Sequence, residues 1–444
     1  MLLRQASAQE FKMKKSFSLF KHRRQILLKT IKDLYQHDPQ KGLLLLVGAF
    51  EHERDVFRQD SSFYYLTGIE EPATILLAYL DGRTVLSVPQ YAESRTKWSH
   101  SAVYGADTKG LKELGVDELQ FLGSVCKGYS LAPQCALPVY ETFLNTLENF
   151  IKGGGTIFTL YPQDRYTESA SILDRLMVLR PTIKDALVDV SPLVDRMRRV
   201  KSQPELEELY KAIDCTMAAQ EAAARIIEQD KYEYQVQAGI EFIYTESGAR
   251  KAFPSIVASG PNSVTLHYNV NNRIMQKGEL VVVDIGAEYN YYCADLTRTY
   301  PVSGTFSKRQ REVYNHVLET QAYIEDIVKP GYWVKNNQEP EKSLYHLAYK
   351  FLESRGYAQY FTHGIGHFLG MDVHDVGNYA EPLVEGDVIT IEPGIYIPEE
   401  NLGVRIEDNY WIVETGAVCL SEELPRESYK IEEMMLESIE DYED

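Results

Sequence analysis

Hydrophobic and polar positions change their period along the chain, and the changes divide it in two. In the first part, short apolar runs (Leu43–Leu46, Thr74–Tyr79, Thr84–Val88) alternate with helical stretches and are punctuated by Gly and Pro, which predicts an α/β layer. Ser202-Gln203-Pro204-Glu205 then reads as a capping box with proline in the first turn. Leu206, Leu209, Ile213 and Met217 follow at near-helical spacing, so a long helix with one apolar stripe opens there. Beyond it, strands and hairpins alternate with a helix around Gln310–Val328, ended by Pro330-Gly331, and another around Leu344–Arg355, ended by Gly356. A chain of 444 residues exceeds one ordinary core. We therefore expect an N-terminal α/β domain over 1–190, a linker over 191–203 and an α+β domain over 204–444.

In the second half, acidic residues are paired across turns. Leu280–Ile285 reads as a β-branched strand containing Asp284, and Tyr292–Tyr300 as a second strand containing Asp295. With the turn centred on Tyr289-Asn290, these acids fall directly opposite each other on one face. Two buried carboxylates so placed repel unless they are protonated or neutralised by cations. Val388–Ile391 leads in the same way to Glu392, and Val404–Ile406 to Glu407, with turn residues from Pro398 to Gly403 between them. A fold-back brings Glu392 and Glu407 together, although Pro393-Gly394 interrupts the strand and hides the register.

Between these hairpins lies Thr362-His363-Gly364-Ile365-Gly366-His367-Phe368-Leu369-Gly370, followed by Asp372-Val373-His374-Asp375. The glycines between His363 and His367 argue for extended chain or loop rather than helix. No glutamate follows His363, so the His-Glu-x-x-His zinc pattern is excluded, and the glycine spacing fits neither a Rossmann nor a phosphate loop. Asp284, Asp295, His367, Glu392 and Glu407 together are four carboxylates and one imidazole without a thiolate. That is the donor set of a shared site for two divalent cations, which activates water for hydrolysis.

Composition narrows the setting. A hydrophobic fraction of 44% and a charged fraction of 25% are those of an ordinary globular protein. The formal net charge of -19 argues against binding to nucleic acid or anionic membrane. No apolar run approaches the roughly 18 residues of a membrane span. The basic stretch Met1–Lys15 lacks the apolar core and cleavage site of a secretory signal, and Glu10 with the helix-like continuation to Leu34 argues against a transit peptide. Five cysteines (Cys126, Cys135, Cys215, Cys293, Cys419) show no paired-ligand spacing, so a reduced, cytoplasmic setting is expected. The acidic run Glu432–Asp444 reads as a solvated, frayed tail.

At this point the chain resembles a known family. The carrying segments are Leu266-His267-Tyr268, Val283–Gly286, Ala294–Val302, His363–Gly370, Asp372–Gly377, Ile391–Tyr396 and Val404–Asp408. Together they resemble the pita-bread metallopeptidases, and the whole chain is similar to their Xaa-Pro aminopeptidase branch. Phe57–Gly68 resembles that branch's N-terminal domain. The implied fold is a creatinase-like α/β domain followed by an α+β pita-bread catalytic domain.

The resemblance implies that Asp284, Asp295, His367, Glu392 and Glu407 hold a dinuclear centre, usually manganese, with Asp295 and Glu407 shared by both ions. It places His267, His363 and His374 around the substrate and makes Arg405 and Tyr396 partners of the ligands. The acid that would face Arg405 from the N-terminal domain stays open between Glu53 and Asp55. Glu392 is expected to shuttle the proton, and His374 or His363 to stabilise the oxyanion. The implied reaction releases the residue before a penultimate proline, in a homo-oligomer, dimer or tetramer. A prolidase limited to Xaa-Pro dipeptides shares the same ligands. A silent peptide-binding module would be expected to have lost some of them, and a methionine aminopeptidase would not need the first domain. Read without the resemblance, His267 is a structural histidine, Arg405 an ion-pair partner of Glu407, and Tyr396 a packing residue.

Overall fold

In the computed structural model, residues 2–36, 38–51, 56–91, 111, 114–125 and 137–440 are described. The chain divides into two compact units, Met1–Asp195 and Arg196–Asp444.

The first unit is built on one six-stranded mixed sheet. Its strands are β1 (Gly42–Val47), β2 (Ile75–Tyr79), β3 (Thr84–Val88), β4 (Glu118–Phe121), β5 (Thr156–Thr159) and β6 (Leu187–Asp189), in the order β4-β3-β2-β1-β5-β6. Every residue of β1 is buried, as a central strand covered on both faces requires. Antiparallel pairing joins β1 to β2 and β2 to β3, and the outer pairs are parallel. Helices α1 (Leu2–Tyr35), α2 (Ser61–Thr67), α3 (Leu137–Lys152), α4 (Glu168–Leu179) and α5 (Thr182–Ala186) accompany the sheet. Asp60 starts α2 by accepting the Phe63 N–H at 2.8 Å, and Gly68 ends it at φ 67°, a conformation that glycine adopts without strain.

Residues 191–203, expected as a linker, are helical over Ser191–Arg199 (α6), and the division between units falls inside that helix. Helix α7 (Gln203–Ile226) then begins at Ser202, whose N–H is capped by Glu205 Oε2 at 3.0 Å. Its buried stripe includes Leu206, Leu209, Ile213, Gln220 and Ala224. Helices α8 (Glu233–Glu246), α9 (Lys308–Ile327), α10 (Leu344–Glu353) and α11 (Ser428–Glu440) complete the second unit. The expected frayed tail is helical as far as Glu440. Ile431 and Met435, four apart, are buried in the core, and Glu432 Oε1 pairs with Arg311 at 2.6 Å. The helical apolar spacing had been hidden inside an acidic run.

Strands of the second unit form small antiparallel sheets: β7 (Arg250–Lys251), β10 (Ala287–Tyr289) and β11 (Tyr292–Cys293) in the order β11-β10-β7, β8 (Ile256–Ser259), β9 (Leu280–Ile285) and β12 (Leu296–Pro301) in the order β12-β9-β8, and β13 (Val388–Ile391), β16 (Asp408–Val413) and β17 (Gly416–Cys419) in the order β13-β16-β17. A two-stranded ribbon of β14 (Gly394–Ile397) and β15 (Leu402–Arg405) continues the second hairpin. A bridge between Thr297 and Glu407 ties the two hairpins together.

Candidate metal centre

In the first hairpin the turn lies one residue further along the chain than expected, which shifts the strand register by two residues. Asp284 pairs with Thr297, and the turn is Asn290-Tyr291, with φ of 47° and 72°. A two-residue hairpin turn needs two left-handed residues, and asparagine at its first position accepts that conformation more readily than tyrosine does. Asp295 is therefore not opposite Asp284 but diagonal to it, in the short break between Cys293 and Leu296. Gly286 permits this break, because a Cβ there would lie 2.0 Å from the Ala294 carbonyl oxygen.

The second hairpin keeps one register across its own break. Ile391 pairs with Asp408 and Gly394 with Arg405, so Glu392 stands opposite Glu407.

The donors converge on His367. Its Nε2 lies 3.4 Å from Asp295 Oδ2, 3.7 Å from Glu392 Oε1 and 4.0 Å from Glu407 Oε1. The opposite nitrogen, Nδ1, lies 3.0 Å from the Phe368 carbonyl oxygen. That contact requires N–H at Nδ1 and leaves the Nε2 lone pair facing the acids, the tautomer of a metal ligand. Asp295, His367 and Glu407 alone bring three ligand atoms within 4.8 Å of one another. Asp284 joins through Arg405, whose guanidinium donates to Asp284 Oδ2 at 2.7 Å.

Electrostatics show what this arrangement lacks. Burial, then the charges of Asp284 and Glu392, raises Asp295 well above the ordinary carboxylate range. Burial, then Asp295 and Glu392, does the same to Glu407, and burial raises Glu392 against the opposing pull of His367. Asp284 Oδ1 and Asp295 Oδ1 are buried without a hydrogen-bond partner. Carboxylate oxygens aimed inward, unpartnered and crowded by like charge fit divalent cations, which supply the missing positive charge.

A shell of hydrogen bonds fixes these side chains. Arg405 donates to Tyr396 Oη at 2.7 Å and to Thr297 Oγ1 at 3.2 Å, and Thr297 donates on to Glu407 Oε2 at 2.8 Å. Tyr396 in turn lies 2.8 Å from His363 Nε2, and His363 Nδ1 lies 2.8 Å from the Gly364 carbonyl oxygen. Burial, then Arg405, pushes the His363 imidazole down to about 3, so it is neutral at ordinary pH. The two contacts consume both of its nitrogens. Arg405 was expected to have an acid partner at Glu53 or Asp55; both lie outside the described residues, and here the guanidinium pairs with Asp284.

His374 packs against His367, with ring centroids 4.3 Å apart and the rings tilted by 54°. Burial, then His367 and His267, lowers its pKa. Its loop is clamped by the segment that precedes α7: Arg198 and Lys201 both bind Asp375, and Arg199 grips Asp387 through two bonds of 2.8 Å. A cavity of about 400 Å³ opens beside the acids, lined by His267, His374, Asp284 and Asp295 and by the apolar Phe253 and Ile256.

Two helices support the hairpins from behind with residues the sequence reading did not single out. Gln220 of α7 donates to the carbonyls of Val283 and Leu296, at 3.1 and 2.8 Å, beside Asp284 and Asp295. Gln321 of α9 donates to the carbonyl of Ile391 at 3.1 Å, beside Glu392, and to Asp408 at 2.9 Å. The available signal was a fully buried-type stripe interrupted by one amide.

Residues 207–414 match the model of metallopeptidase family M24, and residues 20–126 match the aminopeptidase P N-terminal domain. The chain belongs to metallopeptidase family M24, in its aminopeptidase P branch. The family implies divalent metal ions. Over 429 residues the chain is 32% identical to the Xaa-Pro aminopeptidase of Haemophilus influenzae, covering 90% of this chain and 94% of that protein. It is 38% identical to the Xaa-Pro dipeptidase of Pyrococcus furiosus over 237 residues, covering 52% of this chain and 66% of that one. The structure of E. coli aminopeptidase P with the inhibitor Pro-Leu is similar with a TM-score of 0.79 and 27% identity, covering 96% of this chain and 99% of that chain.

Proposed function

We propose that this chain is a metal-dependent aminopeptidase that releases the N-terminal residue from peptides with proline in second position. The observation that supports it most is the convergence of Asp295, Glu392 and Glu407 on the Nε2 face of His367, beside a cavity of peptide-fragment size. We further propose two cations, preferably manganese, held by Asp284, Asp295, His367, Glu392 and Glu407, because the donors are oxygens and one imidazole with no thiolate. When bound, such ions acidify water and polarise a carbonyl.

The chain's own groups do the rest. Glu392 is the ligand suited to take the proton from the attacking water and to return it to the leaving proline nitrogen. Since both nitrogens of His363 are engaged, oxyanion stabilisation falls to His374, which lines the cavity. Tyr396 and Arg405 act by holding Asp284 and, through Thr297, Glu407. A bond before proline has no amide N–H to grip. Recognition by shape replaces it, and Phe253, Pro254, Ile256 and Val373 supply an apolar wall for the ring.

The similarity to a dipeptidase supports a second reading, a prolidase, but that match covers 52% of this chain, whereas the aminopeptidase match covers 90% of it. The resemblance also supports a homo-oligomer, dimer or tetramer, and the free thiols Cys215 and Cys419 a reducing cytoplasm. The test is hydrolysis of an Xaa-Pro-Xaa tripeptide beside an Xaa-Pro dipeptide, after chelator stripping and manganese reloading. Tripeptide cleavage restored by metal is expected. Cleavage of the dipeptide alone would make the protein a prolidase, and cleavage of neither by folded, metal-loaded protein would overturn the peptidase reading.

A further inference from the structure

One wall of the cavity hangs on a loop. Residues 260–273 run from the end of β8 to the bridge between Tyr232 and Ile274, and they carry His267 and Asn269, which both line the cavity. Apart from one short 3-10 turn, Gly260–Val264, this loop has no regular structure to stiffen it. None of the five candidate ligands belongs to it.

Asn271 ties the loop to Ser255 and Val257, and Ser263 ties it to Gly403, but one further side chain bonds to it at more points than either. Glu233, the first residue of α8, is fully buried. Its Oε1 accepts from the Ser259 N–H at 2.8 Å, the Ser259 hydroxyl at 2.7 Å and the Asn262 amide at 3.1 Å. Its Oε2 accepts from the Tyr268 hydroxyl at 2.8 Å and the Arg273 N–H at 3.0 Å. The donors come from the beginning, middle and end of the segment, and Tyr268 is the neighbour of His267. Each oxygen faces a backbone N–H, which can only donate, so both oxygens of Glu233 act as acceptors. An acid in the first turn of a helix ordinarily serves its own helix dipole. Here both oxygens are spent on another segment.

We propose that Glu233 is a positioning residue for substrate binding and turnover, setting His267 and Asn269 against the candidate metal site by tethering the 260–273 loop at three points, Asn262, Tyr268 and Arg273, and at Ser259 just before it. The proposal rests on the peptidase reading for its effect on catalysis and on the hydrogen bonds alone for its effect on the loop.

Glu233→Gln keeps the size of the side chain but turns one acceptor into a donor facing donors. The test uses full-length, manganese-loaded protein. The expected result is a fall in tripeptide kcat/KM of between about tenfold and a hundredfold, with manganese content unchanged. Amide hydrogen exchange should quicken over 260–273 but not over 280–301 or 388–407. In a His267→Ala background the same substitution should add less than about twofold, since it acts through the loop that bears that histidine. An undiminished loss in that background, or wild-type activity and exchange in Glu233→Gln, would overturn the proposal. If Glu233→Gln does not fold, Tyr268→Phe, which removes one donor of the five, should show the same pattern at smaller size, and its absence would count equally against the proposal. An inactive wild type would instead strike the peptidase reading, and the exchange measurement would still decide whether Glu233 holds the loop.

Discussion

The two hairpins of the candidate metal centre bring their acids together in different ways. In the β9–β12 hairpin the acids are offset: Asp284 faces Thr297, and Asp295 sits in a strand break one diagonal away. In the second hairpin Glu392 and Glu407 face each other directly, across a break made by Pro393. Aspartate is short, so the offset and the break bring its carboxylate inward; glutamate, one methylene longer, reaches the same centre from an opposed pair. Each hairpin is backed by one buried glutamine, Gln220 or Gln321. Their anchoring differs. Arg405 reaches out of the second hairpin to hold Asp284 of the first, while Thr297 of the first holds Glu407 of the second. Each hairpin thus holds an acid of the other.

The largest expected effect breaks the second hairpin. Glu392→Ala should lower kcat by about 10²–10⁴, the contribution of a positioned acid–base group. Steady-state kinetics on metal-reloaded protein checks this, and full activity would remove Glu392 from the proton path. Arg405→Ala cuts the tie between the hairpins and strips a buried carboxylate of its partner, so a loss of about 3–5 kcal/mol is expected in urea unfolding of the metal-free protein. A smaller loss would mean that each hairpin stands alone.

Gln220→Leu and Gln321→Leu compare the two supports directly. Each leaves buried carbonyls unpaired and should cost about 1–3 kcal/mol, read in the same unfolding assay. Unequal losses would show which hairpin depends more on its helix.

The smallest expected signal is a pH dependence. Asp295, Glu392 and Glu407 have raised folded pKa values, so in metal-free protein their contribution is intact below the unfolded carboxylate pKa and is lost as pH rises through the folded values. Cations replace those protons. The rise in Tm on adding manganese should therefore grow as pH increases from the acidic side, and a pH-independent shift would contradict the raised values.

Much of the architecture was legible from residue types. The Ser202 cap, the helix it opens and the strands around residues 43–46, 74–79 and 84–88 follow from capping and periodicity, which act within a few residues. The proximity of the acids was legible because a turn must return the chain. The register of the first hairpin was not: moving a two-residue turn by one position is a small local choice, decided by which residues accept positive φ. The tail helix was missed because its charges outnumbered the two apolar residues that dock it.

The sequence alone determined the donor types, their grouping on two hairpins and the loop character of the His363–Gly370 run, because each depends on side-chain chemistry or on neighbours along the chain. Only the tertiary structure decided which acids oppose, which nitrogen of His367 faces them, that His363 is consumed by Tyr396 and Gly364, and that Glu233 bonds to Tyr268 beside His267. Those facts rest on hydrogen bonds between residues as far apart as Asp284 and Arg405. Hydrogen bonds of that kind have donors and acceptors in abundance along any chain, and only packing selects the pairs.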